Sequence, residues 1–476
     1  MGNVKEFIEN MLKGNVSAPI LSREEVIQFL KADPEAFSKF ENAYQKEILD
    51  KPDGNQLFGI SAKQMKEMND SSTTPDELSD LVSRIVNELV AQTTVWEYKK
   101  GASTESAGSV LEITEKSAVS LEELQSIPAQ YRPQLAGDVR LRTTPDKLPA
   151  YQELLYWYKK SLEEETSDRD RRFAYGQFRK GLDLLDLDEI TYQIIGMNQT
   201  SMGYWLPKIS GAVESEGFFK IPGTKILKVP LPVLQLTFVD SYNDLTRTTL
   251  DIVDQFCMKA LRLDTDGDYF LKTGVFSSKF DFRNARVHDP KEVREIGEYF
   301  LYVHHLSRSL GFMTYGAATT NEWVVRDFIP DVEENLMIYH GMPLHTEYRV
   351  FVDFDTKEVL GIHPYWDPDV MKKHFGDAKR SDDPDAYHDY ITYSLNEDKL
   401  MGRYEKNKDV VARHVQDILS GDIETNMSGQ WSMDVMQNGS DFWFIDMAPA
   451  SMSAFHECIP AGKLKTADQN WLPVLK

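Results

Sequence analysis

The chain has 476 residues, 41% of them hydrophobic and 11% aromatic, which excludes disorder and low complexity and leaves room for more than one domain. Against 53 Lys and Arg stand 76 Asp and Glu, a formal net charge of −23, so broad nucleic-acid or anionic-membrane binding is disfavoured and an anionic ligand needs a local basic site. Two cysteines, no apolar run of membrane-spanning length and an amino-terminal stretch without the apolar centre of a signal peptide point to the cytoplasm.

The first part reads as helix. Ser22 with Glu25 makes a capping box ahead of Val26, Ile27, Phe29 and Leu30. Thr74 as N-cap, Pro75 at the first helical position and Glu77 open a second helix, with Leu78, Leu81, Val82, Ile85 and Leu89 on one stripe. Gly101 to Ser109 is a break, and Ser120 with Glu123 opens another capped segment. Helices rich in Tyr and Trp follow from about Pro149 to Leu187. Tyr151, Tyr156, Trp157 and Tyr158 lie at helical spacing in an acidic chain, which favours packing over base stacking.

The pattern changes at about Gly217. From Phe218 to Asp240, short alternating runs punctuated by Pro222, Gly223, Pro230 and Pro232 suit edge strands and a tight turn. Leu245 to Leu261 is an amphipathic helix, and strand, polar loop and strand follow. The fold class is therefore α/β (α+β): a helical accessory region over 1–140, a helical and β lobe over 141–265, and a unit with antiparallel sheets over 266–476.

Charges recur at fixed places on these apolar runs. Lys272 ends the strand DYFLK, and the loop after it offers Ser277, Ser278, Lys279 and backbone amides, which together make a phosphate clamp. It lacks the GxxxxGK[ST] pattern of a P-loop. The strand WVVRDFI ends in Pro330; it can offer backbone groups to a purine while Arg326 and Asp327 close the edge. Glu347 and Arg349 share one face of a strand, alternating with Tyr348 and Val350. Asp434 and Asp446 lie on two runs joined by Asn438-Gly439, a hairpin that brings two hard oxygen ligands together for Mg²⁺ on nucleotide phosphates. Asp264, Asp266 and Asp268 do not make an EF-hand, because the glycine falls too early and Val275 stands where the closing Glu belongs. The pair His304-His305 lacks an HExxH pattern, and Cys458 beside His456 is read as a small buried residue. The run from Gly376 to Ala386 is a solvated loop, with a substrate lid as its alternative.

The order of these parts, from Phe218 to Phe455, resembles the ATP-grasp superfamily. FLKTGVFSSKFDF, EYRVFV, MDVMQ and FWFIDMAP look most like its divergent branch, which contains a eukaryotic cell-division-cycle assembly chaperone of a translation initiation factor and related bacterial and phage proteins. The resemblance implies ATP and Mg²⁺ as cofactors. Lys272 would hold phosphates beneath a mobile loop, Trp323 to Ile329 would frame adenine, and Asp434 and Asp446 would carry the metal. It further implies a ligase joining a carboxylate substrate to an amine acceptor through an acyl phosphate, with Arg349, Glu347 and Lys272 as catalytic residues. Where the family has acid-x-Asn-Pro this chain has Asp446-Met447-Ala448-Pro449. Three outcomes stay open: a weaker site completed by water, Ser451 as a substitute ligand, or nucleotide binding without catalysis. The rival class is an ATP-binding assembly factor that presents its amino-terminal helices to a protein partner; nucleic-acid end modification is a third reading, opposed by the acidic surface.

Overall fold

The computed structural model describes residues 75–99, 319–375 and 384–466, residues 156–310 with short interruptions, and positions 31, 32 and 35. The Ser22 and Ser120 capping boxes, Thr74, Tyr151, the break at 101–109 and most of the loop from Gly376 lie outside the described residues.

Two five-stranded sheets organise the chain, each built from pieces far apart in sequence. The first has the order β1-β3-β6-β4-β5, formed by β1 (Val95–Tyr98), β3 (Thr224–Lys228), β6 (Glu322–Asp327), β4 (Tyr269–Thr273) and β5 (Arg286–Val287). Every pairing in it is antiparallel. The second has the order β10-β9-β11-β12-β2, with β2 (Phe219–Lys220), β9 (Thr346–Asp353), β10 (Glu358–Pro364), β11 (Gln430–Asn438) and β12 (Asp441–Pro449). Only β2 on β12 is parallel there. A small hairpin of β7 (Met337–Ile338) and β8 (Met342–Pro343) lies apart. The architecture is mixed α/β with antiparallel sheets.

Three helices cover one face of the first sheet. They are α1 (Pro75–Ala91), α4 (Arg247–Leu261) and α5 (Ile296–Ser309), whose stripes Val82/Ile85/Leu89, Ile252/Val253/Phe256 and Ile296/Phe300/Leu301 share one core with Leu227, Leu271, Trp323 and Val325. Period-two alternation sends the neighbours of these strand residues the other way. Ile226 and Val324 enter a second core with α3 (Met202–Glu216), α6 (Pro384–Ser420) and the inner face of the second sheet. The first sheet is thus covered on both faces, and β6 is buried along its length up to the exposed Asp327, with apolar residues at its centre. A further helix, α2 (Asp168–Leu184), packs Phe178 against Tyr158 and Tyr175.

This architecture corrects two expectations. The region before 140 is not purely helical: β1 is the outermost strand of the first sheet and α1 belongs to its core, so the boundaries expected at 140 and 265 both divide one sheet. The Pro-rich segment 218–240 was expected to give edge strands, and β2 is one, but β3 is interior, between β1 and β6. Pro222 and Pro230 flank β3 without entering it, so no ladder hydrogen bond is lost. Gly223, just before β3, has a steric task. A Cβ there would come within 2.1 Å of the Asp327 carboxylate, whose backbone N–H donates to the Gly223 carbonyl at 2.7 Å.

Candidate functional site

The two sheets meet at a cavity of about 210 Å³. β4 supplies Phe270 and Lys272 to it, β6 Arg326 and Asp327, β9 Glu347 and Arg349, β11 Asp434 and Met436, and β12 Ile445 and Asp446. In each of β4, β9 and β11 the intervening residues, Leu271, Tyr348 and Val435, are core. The cavity lining joins the charged side chains of Lys272, Lys279, Arg326, Asp327, Glu347, Arg349, Asp434 and Asp446 to the apolar ones of Phe270, Phe282, Phe328, Ile329 and Met342.

β12 departs from simple alternation. Asp434 pairs with Asp446 while its neighbour Val435 pairs with Phe444, so Ile445 is a bulge residue. Phe442, Phe444 and Met447 are all core, and the extra residue lets Ile445 and Asp446 both line the cavity. The hairpin turns at Asn438-Gly439, where Gly439 has a φ of 63°.

Four of the charged groups form two ion pairs, one between the sheets and one within the second sheet. Lys272, 2% exposed at its side chain, donates to Asp446 Oδ2 at 2.6 Å. Burial pulls the lysine pKa down, and Asp446 beside it opposes that effect. Arg349 donates from Nε and Nη2 to both oxygens of Asp434, at 2.8 and 2.7 Å. Burial works against its charge, but the bidentate carboxylate more than offsets this and raises the guanidinium pKa. Glu347, recessed in the wall, is pushed up to about 7 by burial and by Asp434, with Lys279 and Arg349 pulling the other way. The Lys279 ammonium lies 3.8 Å from the Tyr365 ring centroid and bonds the Tyr365 hydroxyl, while the Arg349 guanidinium sits 4.7 Å from the same ring.

Some expected contributors do other work. Arg326 is buried and donates to the carbonyls of Phe444 and Ile445 and to Thr224 Oγ1, tying the first sheet to β12. With no carboxylate on its fork, burial lowers it to about 10. The β6 backbone cannot serve a purine, because it is paired to β3 on one side and β4 on the other; Phe328 and Ile329, just past the strand, line the cavity instead. In the loop after β4, the amides of Thr273, Gly274, Val275 and Phe276 are already used within the protein. Ser277 and Lys279 reach the cavity, whereas Ser278 is buried and does not line it. Ser451 does not line it either.

The carboxylates offer hard oxygen donors of the kind a hard cation takes, although each is already paired with a basic side chain. Asp434 and Asp446 are directly opposed, and although Asp446 Oδ1 also accepts from the Met447 amide, each carboxylate oxygen keeps a further lone pair. Sequence reasoning missed Tyr365 and His345 at this site. His345 lines the apolar wall with its Nε2 3.2 Å from Asp331 Oδ1, and burial lowers its pKa. Tyr365 follows β10 immediately, and its one sequence signal is an aromatic pair, Tyr365-Trp366, at a strand end.

A second network holds the turn that carries Lys279. His340 lies 3.3 Å from Asp281, on the turn Lys279–Asn284, and 3.0 Å from Asp385 at the start of α6. Burial disfavours its charge, but the two carboxylates prevail and raise His340 to about 9. Asp281, also bonded by Asn284 and Tyr302, is held down at about 2 against the effect of burial.

No family model matches the chain, and no curated protein matches it. Two solved structures of Cdc123 from Schizosaccharomyces pombe, one of them truncated at the carboxyl terminus, are similar at a TM-score of 0.30 and 14% identity, covering 54% of this chain and 85% of that chain. At that score the likeness carries no weight for fold or activity. Among the described residues no helix is long and apolar enough to cross a membrane.

Proposed function

We propose that the cavity binds ATP with Mg²⁺ and that the protein is an ATP-dependent carboxylate–amine ligase of ATP-grasp type. One observation supports this above others: a single cavity is lined both by Phe270, Phe282, Phe328 and Ile329, suited to a nucleobase, and by Lys272, Lys279 and Arg349 with Asp434 and Asp446, suited to phosphates and a cation.

In this reading Lys272 and Lys279 hold the phosphates, and Asp434 and Asp446 would hold Mg²⁺, which supplies charge neutralisation at the phosphates when bound. A substrate carboxylate oxygen bonds the γ-phosphorus as the bond to ADP breaks; the amine then bonds the acyl carbon as phosphate leaves. Arg349 faces the charge on the acyl phosphate. Glu347, with a pKa of about 7, is matched to accepting the proton that the amine loses.

A specific feature favours a second reading, an ATP-binding assembly factor that meets a protein partner through its amino-terminal region. Both Asp434 oxygens already accept from Arg349, and Ala448 stands where the ATP-grasp pattern has its Asn ligand, both of which weaken a metal site. Incubation with ATP, Mg²⁺ and pooled amino acids tests both. ADP with a new amide supports the ligase; ligand-induced stabilisation without products supports the assembly factor. Absence of any stabilisation by ATP removes both.

A further inference from the structure

We propose a second, independent metal centre for a divalent transition ion of the Zn²⁺ type, formed by Glu216, His414 and Asp417. None of the three lines the nucleotide cavity. Glu216 is the last residue of α3, and His414 and Asp417 are three apart on one face of α6. One ligand atom from each lies within 4.8 Å of the others. His414 Nδ1 is 2.5 Å from Glu216 Oε1, whose side chain is only 9% exposed.

Two of the ligands are oriented in advance by one residue. The Phe218 ring stacks on the His414 imidazole with centroids 3.8 Å apart and planes 3° apart, which fixes the direction of Nδ1. The Phe218 N–H donates to Glu216 Oε2 at 3.0 Å, which leaves Oε1 aimed at the histidine. Binding an ion at the roughly 2.0–2.2 Å bonds of a zinc site replaces the Nδ1–Oε1 hydrogen bond: His414 and Glu216 move slightly apart to admit the ion, and exposed Asp417 changes rotamer to reach it. A histidine–glutamate hydrogen bond needs no third partner, and a second carboxylate beside the first adds repulsion. Two carboxylates with a neutral imidazole match a divalent ion in charge. The nitrogen donor disfavours Mg²⁺ and Ca²⁺, and the absence of a thiolate leaves a borderline ion with water completing its shell. Bound there, the ion fastens the α3–β2 junction to α6, and β2 is the strand paired to β12.

Titration of the metal-free full chain with Zn²⁺, without nucleotide, followed by calorimetry and thermal melting, tests the site. One equivalent bound with a raised melting midpoint is expected. His414→Gln, Glu216→Gln and Asp417→Asn should each weaken that binding at least tenfold, while Asp446→Asn, in the nucleotide cavity, leaves it unchanged. Asp417 is exposed, so its variant reads the site even where the His414 variant folds poorly. No binding, binding untouched by Asp417→Asn, or binding lost in Asp446→Asn overturns the proposal.

Discussion

Asp434 stands directly opposite Asp446 on the β11–β12 ladder, and each is held by a different cation, Arg349 from β9 and Lys272 from β4. Lys272 to Asp446 therefore ties the first sheet to the second, while Arg349 to Asp434 is a pair between neighbouring strands of the second sheet. The same four groups would meet a nucleotide, so its arrival must redistribute these pairings rather than fill a ready-made site. Replacing Asp446 by Asn leaves the buried Lys272 charge uncompensated, and a loss of about 1–3 kcal/mol in stability is expected on denaturant unfolding, the lower part of the range reflecting the partial exposure of Asp446.

ATP with Mg²⁺ should raise the thermal midpoint, since a ligand that binds only the folded state stabilises it by about 2.7 kcal/mol at a hundredfold excess over Kd. Lys272→Ala should abolish most of that gain. An unchanged shift in the variant removes Lys272 from the phosphate site.

ATP should stabilise more than GTP, with the choice made by Phe328, Ile329 and their neighbours after β6, not by the strand itself. The two purines present reversed donors and acceptors at their six-membered edges. Equal stabilisation by GTP would sink this placement of the base.

Much of the site was legible because alternation and turn chemistry are local. Glu347 and Arg349 share a face by period two, and Asn438-Gly439 marks the hairpin that opposes Asp434 to Asp446. The helix at Pro75 was legible from its first turn. What stayed hidden is long-range. No local pattern says that Val95–Tyr98 pairs with Thr224–Lys228, or that Arg326 spends its donors on the carbonyls of β12. The bulge at Ile445 was readable only as an odd spacing, since Phe442, Phe444 and Met447 cannot share one face of a regular strand.

His340 makes the loop carrying Lys279 sensitive to pH. Its folded pKa of about 9 exceeds the ordinary 6.5, so its stabilisation is complete below 6.5 and is lost as pH rises through 9. Asp281, held at about 2 against an ordinary 3.8, loses its contribution only as pH falls through 2. The protection of residues 279–284, taken as exchange relative to the intrinsic base-catalysed rate, should fall between pH 7 and 9.5 in the native chain, and His340→Gln should flatten that dependence. Equal exchange in both would dismiss the clamp.

Glu347 gives the proposed reaction its own pH signature. A proton acceptor works when ionised, so turnover should rise as pH increases through about 7. Stability has the opposite sign, because a carboxyl raised from 4.5 binds its proton more tightly when folded and stability falls over the same interval. Glu347→Gln should lower turnover by roughly 10²–10⁴-fold and remove the rising limb while leaving ATP-induced stabilisation in place. A variant that keeps the limb assigns it to another group.

The Ala448 position is testable by placing there the Asn of the ATP-grasp pattern that the sequence resembles. Ala448 lies two residues beyond Asp446, after the bulge, and therefore on the same face of β12, opposite Ser432. An Asn there would extend its carboxamide oxygen beside the two carboxylates. If Asp434 and Asp446 hold Mg²⁺, Ala448→Asn adds a neutral oxygen ligand without another negative charge, and the Mg²⁺ concentration for half-maximal ATP-induced stabilisation should fall several-fold. Asp434→Asn should move it upward, and should also leave Arg349 without its bidentate partner, so the folded fraction must be checked by circular dichroism alongside. Stabilisation is the better readout than turnover, because it reports the metal even if the chain binds ATP without consuming it. A half-maximal Mg²⁺ concentration that neither substitution shifts would place the cation away from this hairpin and rule out Asp434 and Asp446 as its ligands.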